Sequence, residues 1–223
     1  MVELTLAIHR VFDLPDDRLI FDVGHQSYVH KLLSDRFDRF DTLRTPGGIS
    51  GFQRRDESVY DAFGGGHAST SLSAAIGFAQ ADKLLGRNNF TVCVVGDGAF
   101  TGGMIHEALN NCDENLHLVI ILNENEMSIS KNTGHFADSL SKLRSTNWYL
   151  SFKRGVKKAL SKTVLGRKIK IFSSRQKQKL KRAIYSDNYF EQLGIDYLGP
   201  IDGHDFRSLT RALEIARDYD QPI

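Results

Sequence analysis

TVCVVGDGAFTGG, Thr91 to Gly103, decides the fold. Phe90 to Val95 is a continuous β-branched and apolar run with no polar alternation, the pattern of a strand buried on both faces. A glycine turn follows, then a helix, which is the usual arrangement for holding a phosphate. Asp97 stands in the middle of that turn, where its carboxylate repels a phosphate. Either the turn is only structural, with the aspartate as a helix cap, or a cation stands between the two negative groups.

Working outward, Leu116 to Leu122 (LHLVIIL) is a second uninterrupted apolar run, and Gly102 to Asn111 between the two is helical in pattern. A strand, a helix and a strand connected in this way form a right-handed unit with parallel strands. The remaining chain continues the alternation: a helix over Glu3 to Phe12, a strand over Arg18 to Val23, and a helix over Ser69 to Gly86 with Ser and Thr at its amino end. The fold class expected is α/β, a mainly parallel sheet flanked by helices. No internal repeat is present. Ligands of such sheets bind outside the carboxyl ends of the strands, and those ends carry DVGHQ (Asp22 to Gln26), GDGA (Gly96 to Ala99) and NENEM (Asn123 to Met127).

Asp97 and Asn125 lie 125 − 97 = 28 residues apart, one strand–helix–strand unit, so both are expected at the carboxyl ends of neighbouring strands. A hard divalent cation such as Mg²⁺ takes oxygen ligands and shares its remaining positions with substrate phosphates. Asp97 offers a charged oxygen, Asn125 an amide oxygen, and a loop carbonyl near Met127 a third. The cation turns a repulsive pair into a bridge, while Gly98 and Ala99 let backbone amides approach the phosphate. A dinucleotide fingerprint does not fit, because Thr101 stands where a third Gly or Ala belongs, and there is no Gly-Lys-Ser or Gly-Lys-Thr phosphate loop.

FGGGHASTS, Phe63 to Ser71, is a second glycine-rich loop entering a helix; His67 and the small residues after it either line a cofactor or simply pack the loop. His25 follows a buried strand at the same edge and reads as a ligand or proton-transfer residue. Asp202 and His204 look catalytic at first sight, but Asp202 or Asp205 is better read as the cap of an amphipathic helix carrying Phe206, Leu209, Leu213 and Ala216. Gly51 to Asp61 is either a substrate-side loop or a solvated turn. The segment Lys142 to Arg182 contains no Asp or Glu, yet without a recognition motif it reads as a solvated basic face, so nucleic acid is not expected as a partner.

Cys93 in a strand and Cys112 in a loop match neither a disulfide framework nor a zinc spacing, which favours a reducing cytoplasm. No apolar run is long enough to span a bilayer and no secretion signal opens the chain. Met1 runs straight into a helix, and Pro-Ile at positions 222 and 223 usually opens a strand, so both ends look abrupt.

VELTLAIHRVFDLPDDRLIFDVGHQSYVHK, YDAFGGGHASTSLSAAIGFA, GDGAFTGGMIHEALNN, ILNENEMSIS and LGIDYLGPIDGHD together resemble the amino-terminal, thiamine-diphosphate-binding domain of the 1-deoxy-D-xylulose-5-phosphate synthase family. The resemblance implies a homodimeric transferase that uses thiamine diphosphate and Mg²⁺ to join pyruvate to glyceraldehyde 3-phosphate, releasing CO₂ and forming 1-deoxy-D-xylulose 5-phosphate for isoprenoid and thiamine biosynthesis. It implies that Asp97, Asn125 and the Met127 carbonyl hold the metal. It also implies that His25, Gly66, His67, Ala68, Gly96, Asp97, Gly98, Ala99 and Asn125 line the cofactor, with His25 as the catalytic candidate. Ala68 departs from the serine usual in that loop. Residues 1–223 are then expected to form a single diphosphate-binding domain with a basic helical insertion at about 136–186, the family's later domains, including its activating glutamate, being absent. By itself such a chain is expected not to turn over. The alternatives are a separate diphosphate-binding subunit of a transketolase-like enzyme and a non-catalytic cofactor-binding module.

Overall fold

The computed structural model describes residues 1–124 and 189–223. In chain order these form α1 (Val2–Val11), β1 (Arg18–Phe21), α2 (Tyr28–Leu33), a 3₁₀ helix (Phe37–Thr42), α3 (Ser71–Leu84), β2 (Thr91–Gly96), α4 (Asp97–Phe100), α5 (Gly103–Asn110), β3 (Leu118–Asn123), α6 (Tyr189–Gln192) and α7 (Phe206–Arg217). Met1–Asn132 with Leu193–Ile223 pack as one unit, and Thr133–Gln192 as another, of which α6 is the described part. The expected basic insertion at 136–186 lies outside the described residues.

The sheet runs β1-β2-β3 and every pairing is parallel. Phe21 pairs with Val94 and Gly96 with Asn123, so the three strands end at one edge. Thr91 to Val95 is buried throughout, as its unbroken apolar sequence requires of a central strand. β3 departs from that expectation: Leu118 and Val119 are buried, but Ile120 to Asn123 are only partly so. Ile223 takes a parallel position along the free side of β3, its N–H donating to Leu118 O (3.1 Å) and its carbonyl accepting from Ile120 N (2.7 Å), as the Pro-Ile ending suggested.

Alternate residues of the strands serve different helices. Leu19, Phe21, Val92, Val94 and Val119 form one core with Leu4, Ala7, Ile8 and Val11 of α1 and Leu209, Leu213 and Ala216 of α7. Cys93 faces the other way, where its Sγ lies 3.3 Å from Ser71 Oγ at the start of α3. The buried stripe of α3 is built largely from small residues, Ser71, Ala75 and Ala79, and lets the helix lie close to β2. Asp205, one of the two proposed caps, accepts hydrogen bonds from the N–H groups of Arg207 and Ser208, both at 3.1 Å, at the entry to α7.

The stretch from Gly51 to Asp61 is not a solvated turn. Gln53 is buried, and its side chain docks on the free edge of β1: Phe21 N donates to Oε1 at 2.9 Å and Nε2 donates to Leu19 O at 3.0 Å. One carboxamide thus completes the ladder that a further strand would otherwise supply. Beside it, the buried Lys31, Arg36 and Asp61 form an ion network with the partly buried Glu57, and the half-exposed Asp35 adds a further carboxylate to Arg36.

Candidate functional site

The carboxyl end of β1 turns sharply. Val23 (φ 61°) and Gly24 (φ 101°) both take left-handed conformations, and Ser27 locks the turn by donating its N–H and Oγ to Gly24 O at 3.1 and 2.6 Å. Glycine is required at position 24 by that φ. The turn leaves His25 exposed at the edge, while the Gln26 side chain folds inward. Gln26 Oε1 is buried without a hydrogen-bond partner, and its Nε2 lies 3.8 Å from the position a Cβ on Gly96 would occupy.

The glycine loop is fastened to this turn. Gly66 N donates to Val23 O at 2.6 Å and Gly65 N to Gln53 O at 3.0 Å. A Cβ on Gly65 would stand 2.5 Å from Val23 O, so that glycine serves loop packing. Gly66 (φ 123°), His67 and Ala68 are exposed on the open side. Behind them Asp22, which is buried, accepts from Ser69 N (2.8 Å), Ser71 N (3.1 Å) and Ser71 Oγ (2.5 Å), and so caps α3 from the end of a neighbouring strand.

The Gly-Asp-Gly turn completes the edge. Gly96 ends β2 in extended conformation and Asp97 to Phe100 coil into the short α4. Asp97 is 6% exposed, and its Oδ1 accepts from Gly98 N at 2.9 Å. Because Gly96 pairs with Asn123, Asp97 and Glu124 each follow the last paired position of adjacent strands. Asn125 and Met127, the other expected metal-holding residues, lie outside the described residues. Among the described residues no three His, Cys, Asp or Glu gather as a metal site.

His25, Gly66, His67, Ala68, Gly96, Asp97, Gly98 and Ala99 thus sit on three loops at the ends of β1 and β2, joined by hydrogen bonds. Beneath them, burial pushes the Cys93 thiol up to about 12, which makes it an inert core residue rather than a nucleophile. His204 belongs elsewhere: it is exposed, with Nδ1 3.3 Å from Glu3 Oε1 at the amino end of α1. The sequence reading passed over Asp22, Gln26, Gln53 and Ser69. A signal existed for Asp22, an acidic residue closing a buried strand; none existed for Gln53, whose partner strand lies more than 30 residues away.

The donor set suits a diphosphate with its cation. It combines a hard carboxylate oxygen at Asp97, an open-faced glycine at Gly66, and an orphaned amide oxygen at Gln26. The family model described as 1-deoxy-D-xylulose-5-phosphate synthase matches residues 1–223. The chain belongs to the 1-deoxy-D-xylulose-5-phosphate synthase family. Curated synthases are similar along all of it: that of Thermomicrobium roseum is 46% identical over 223 residues, and that of Clostridium kluyveri 49% over 225. The chain spans about 36% of the length of each. Among solved structures, transketolase from Campylobacter jejuni has a TM-score of 0.60 at 20% identity, covering 98% of this chain and 30% of its own. Transketolase from Leishmania mexicana has a TM-score of 0.60 at 18% identity, covering 92% and 27%. The chain shares the α/β fold of these two transketolases over the part covered.

Proposed function

We propose that the chain supplies the diphosphate-binding domain of a thiamine-diphosphate- and Mg²⁺-dependent 1-deoxy-D-xylulose-5-phosphate synthase, residues 1–223 with a basic insertion at about 136–186. The reaction is the joining of pyruvate to glyceraldehyde 3-phosphate with loss of CO₂, in a cytoplasmic homodimer. The observation that carries this reading is the buried Asp97 carboxylate at the end of the central strand, one residue beyond the Gly96–Asn123 pair, in a chain that matches the synthase family from end to end.

When bound, thiamine diphosphate supplies a nucleophilic carbon and an electron sink for decarboxylation. The protein's own part is positioning and charge. Asp97, Asn125 and the Met127 carbonyl would hold Mg²⁺, and the backbone amides of Gly98 and Ala99 would be available to the diphosphate. His25, exposed at the end of β1, moves or holds a proton at one of its ring nitrogens. Gly66, His67 and Ala68 would line the cofactor.

Titration of the protein with thiamine diphosphate, with and without Mg²⁺, tests the reading. Binding is expected to require Mg²⁺ and to be lost in Asp97→Ala. Equal binding by Asp97→Ala, or binding indifferent to the cation, refutes it. Pyruvate decarboxylation is expected only when the family's glutamate-bearing second domain is present.

A further inference from the structure

Ser69 is held in an uncommon state. Its φ of 68° is left-handed, a conformation that costs a residue with a Cβ about 1 kcal/mol or more. Two contacts hold it there: its N–H donates to Asp22 Oδ1 at 2.8 Å, and its Oγ donates to Ala99 O at 2.6 Å. The first ties the glycine loop to the end of β1. The second reaches across to the Gly-Asp-Gly turn.

Gly102 supplies an independent sign that this hydroxyl is built into the turn. Its backbone (φ −77°, ψ 144°) is open to any residue, so conformation does not call for glycine. Space does, since a Cβ there would stand 2.0 Å from Ser69 Oγ and 2.9 Å from Ser69 Cβ. The serine side chain occupies the gap between the last turn of α4 and the cap of α5.

We propose that Ser69 is a positioning residue that locks the loop bearing Gly66, His67 and Ala68 to the turn bearing Asp97, Gly98 and Ala99, so that the two halves of the diphosphate site move as one body. The mechanical coupling stands on the contacts above; its consequence for the cofactor rests on the function proposed for this edge. With the lock in place, the cofactor meets two loops already aligned and need not order one against the other on binding.

Amide hydrogen exchange without cofactor reads the coupling directly. Ser69→Gly keeps the left-handed backbone at no steric cost and removes the hydroxyl. The amides of Thr101 and Gly102, which close the turn onto Gly98 O and Ala99 O, are expected to exchange about tenfold faster in this variant, with α1 and α7 unchanged. Faster exchange confined to residues 64–71 overturns the proposal. A compensation test accompanies it. Gly102→Ala alone is expected to loosen the same turn by displacing Ser69, whereas in the Ser69→Gly background the added methyl fits the vacated gap and brings no further change. Equal effects of Gly102→Ala in both backgrounds refute the wedge. For the cofactor, Ser69→Gly is expected to raise the Kd for thiamine diphosphate about tenfold while leaving Tm without cofactor within a few degrees. An unchanged Kd overturns the positioning role, whereas no binding by the unsubstituted protein counts against the proposed function and leaves the exchange result to judge the coupling.

Discussion

Arg36 grips Asp61 with both ends of its guanidinium, Nη1 to Oδ2 at 2.6 Å and Nη2 to Oδ1 at 3.0 Å, and neither residue is more than 2% exposed. Burial alone would raise the Asp61 pKa; hydrogen bonds from His30, Arg36 and the Arg54 N–H outweigh it and hold the carboxyl far below its ordinary value. Asp61→Ala would leave Arg36 and Lys31 as buried positive charges facing only Glu57 and the half-exposed Asp35. The expected loss is about 3–5 kcal/mol, read from the urea midpoint at pH 7.

The same network reaches α1 and sets a pH dependence. His30 Nε2 lies 3.2 Å from both Tyr60 O and Asp61 Oδ1, so it carries the proton, and its Nδ1 accepts from His9 Nε2 at 2.9 Å. Burial first, and the repulsion a second proton would meet on the adjoining His30 ring second, lower His9 to about 4. The unfolded chain takes up this proton near pH 6.5 and the folded one only near pH 4, so stability is full above 6.5 and falls as pH drops through that window. Discounted for the water that screens this partly exposed ring, the expected loss is on the order of 2–3 kcal/mol. His9→Gln, which retains a donor for His30, should flatten the slope between pH 4 and 6.5 while leaving the acid loss below pH 3.8, where Asp61 is more than half protonated in the unfolded chain. An unaltered slope would assign the window to another group.

Gln53 completes the β1 edge, so its removal should act as the loss of a strand partner. Gln53→Ala strips Phe21 N and Leu19 O of their partners at a buried edge, with an expected cost of about 2–3 kcal/mol. Gln53→Glu retains an acceptor for Phe21 N but leaves Leu19 O without a donor and buries a charge, so it should be no better than alanine. Chemical denaturation of the two variants checks this, and near-native stability in either would mean that water replaces the carboxamide.

Both cysteines should be silent in the folded protein. Burial raises Cys93 to about 12, helped by the nearby Asp22 charge, and raises Cys112 to about 11 with Asp113 adding to the effect. A thiol reagent at pH 8 should label neither at an appreciable rate until denaturant is added. Rapid labelling of Cys93 would show that the α3–β2 contact opens.

Local pattern carried much of this architecture. The unbroken run before Gly96 gave β2, the spacing to Leu116 gave the parallel neighbour, and the polar residues at strand ends marked the edge where His25, Gly66 and Asp97 now lie. Asp205 was legible as a cap because capping is a relation between residues two and three apart. What escaped depends on distance along the chain. Gln53 pairs with Leu19 and Phe21, Asp22 with Ser69 and Ser71, and Asp61 with Arg36; each is an ordinary polar residue until folding brings its partner within hydrogen-bond reach. The stretch Gly51 to Asp61 read equally as a substrate-side loop or a solvated turn for that reason, since charged side chains signal solvent unless their counter-charges are known to be buried with them. The partial exposure of β3 was hidden too, because an apolar run does not reveal how completely its flanks are covered.

The three consecutive glycines at 64–66 give a last contrast, since identical residues there meet three different constraints. A Cβ on Gly64 meets nothing within 4 Å and its φ is not left-handed, so Gly64→Ala should lie within about 0.5 kcal/mol of the parent. Gly65→Ala drives a methyl against the backbone oxygen of Val23 at 2.5 Å, which cannot move without lifting the loop from β1; about 1–3 kcal/mol should be lost. Gly66→Ala has room, with Phe52 no nearer than 4.0 Å, but a φ of 123° strains any L residue by about 1–2 kcal/mol. Thermal unfolding should therefore rank position 64 well above 65 and 66. Thiamine diphosphate titration should then separate the latter two from Gly64→Ala, whose binding should match the parent. A Gly64→Ala variant as damaged as Gly65→Ala would show that the loop is held by something other than its contact with Val23.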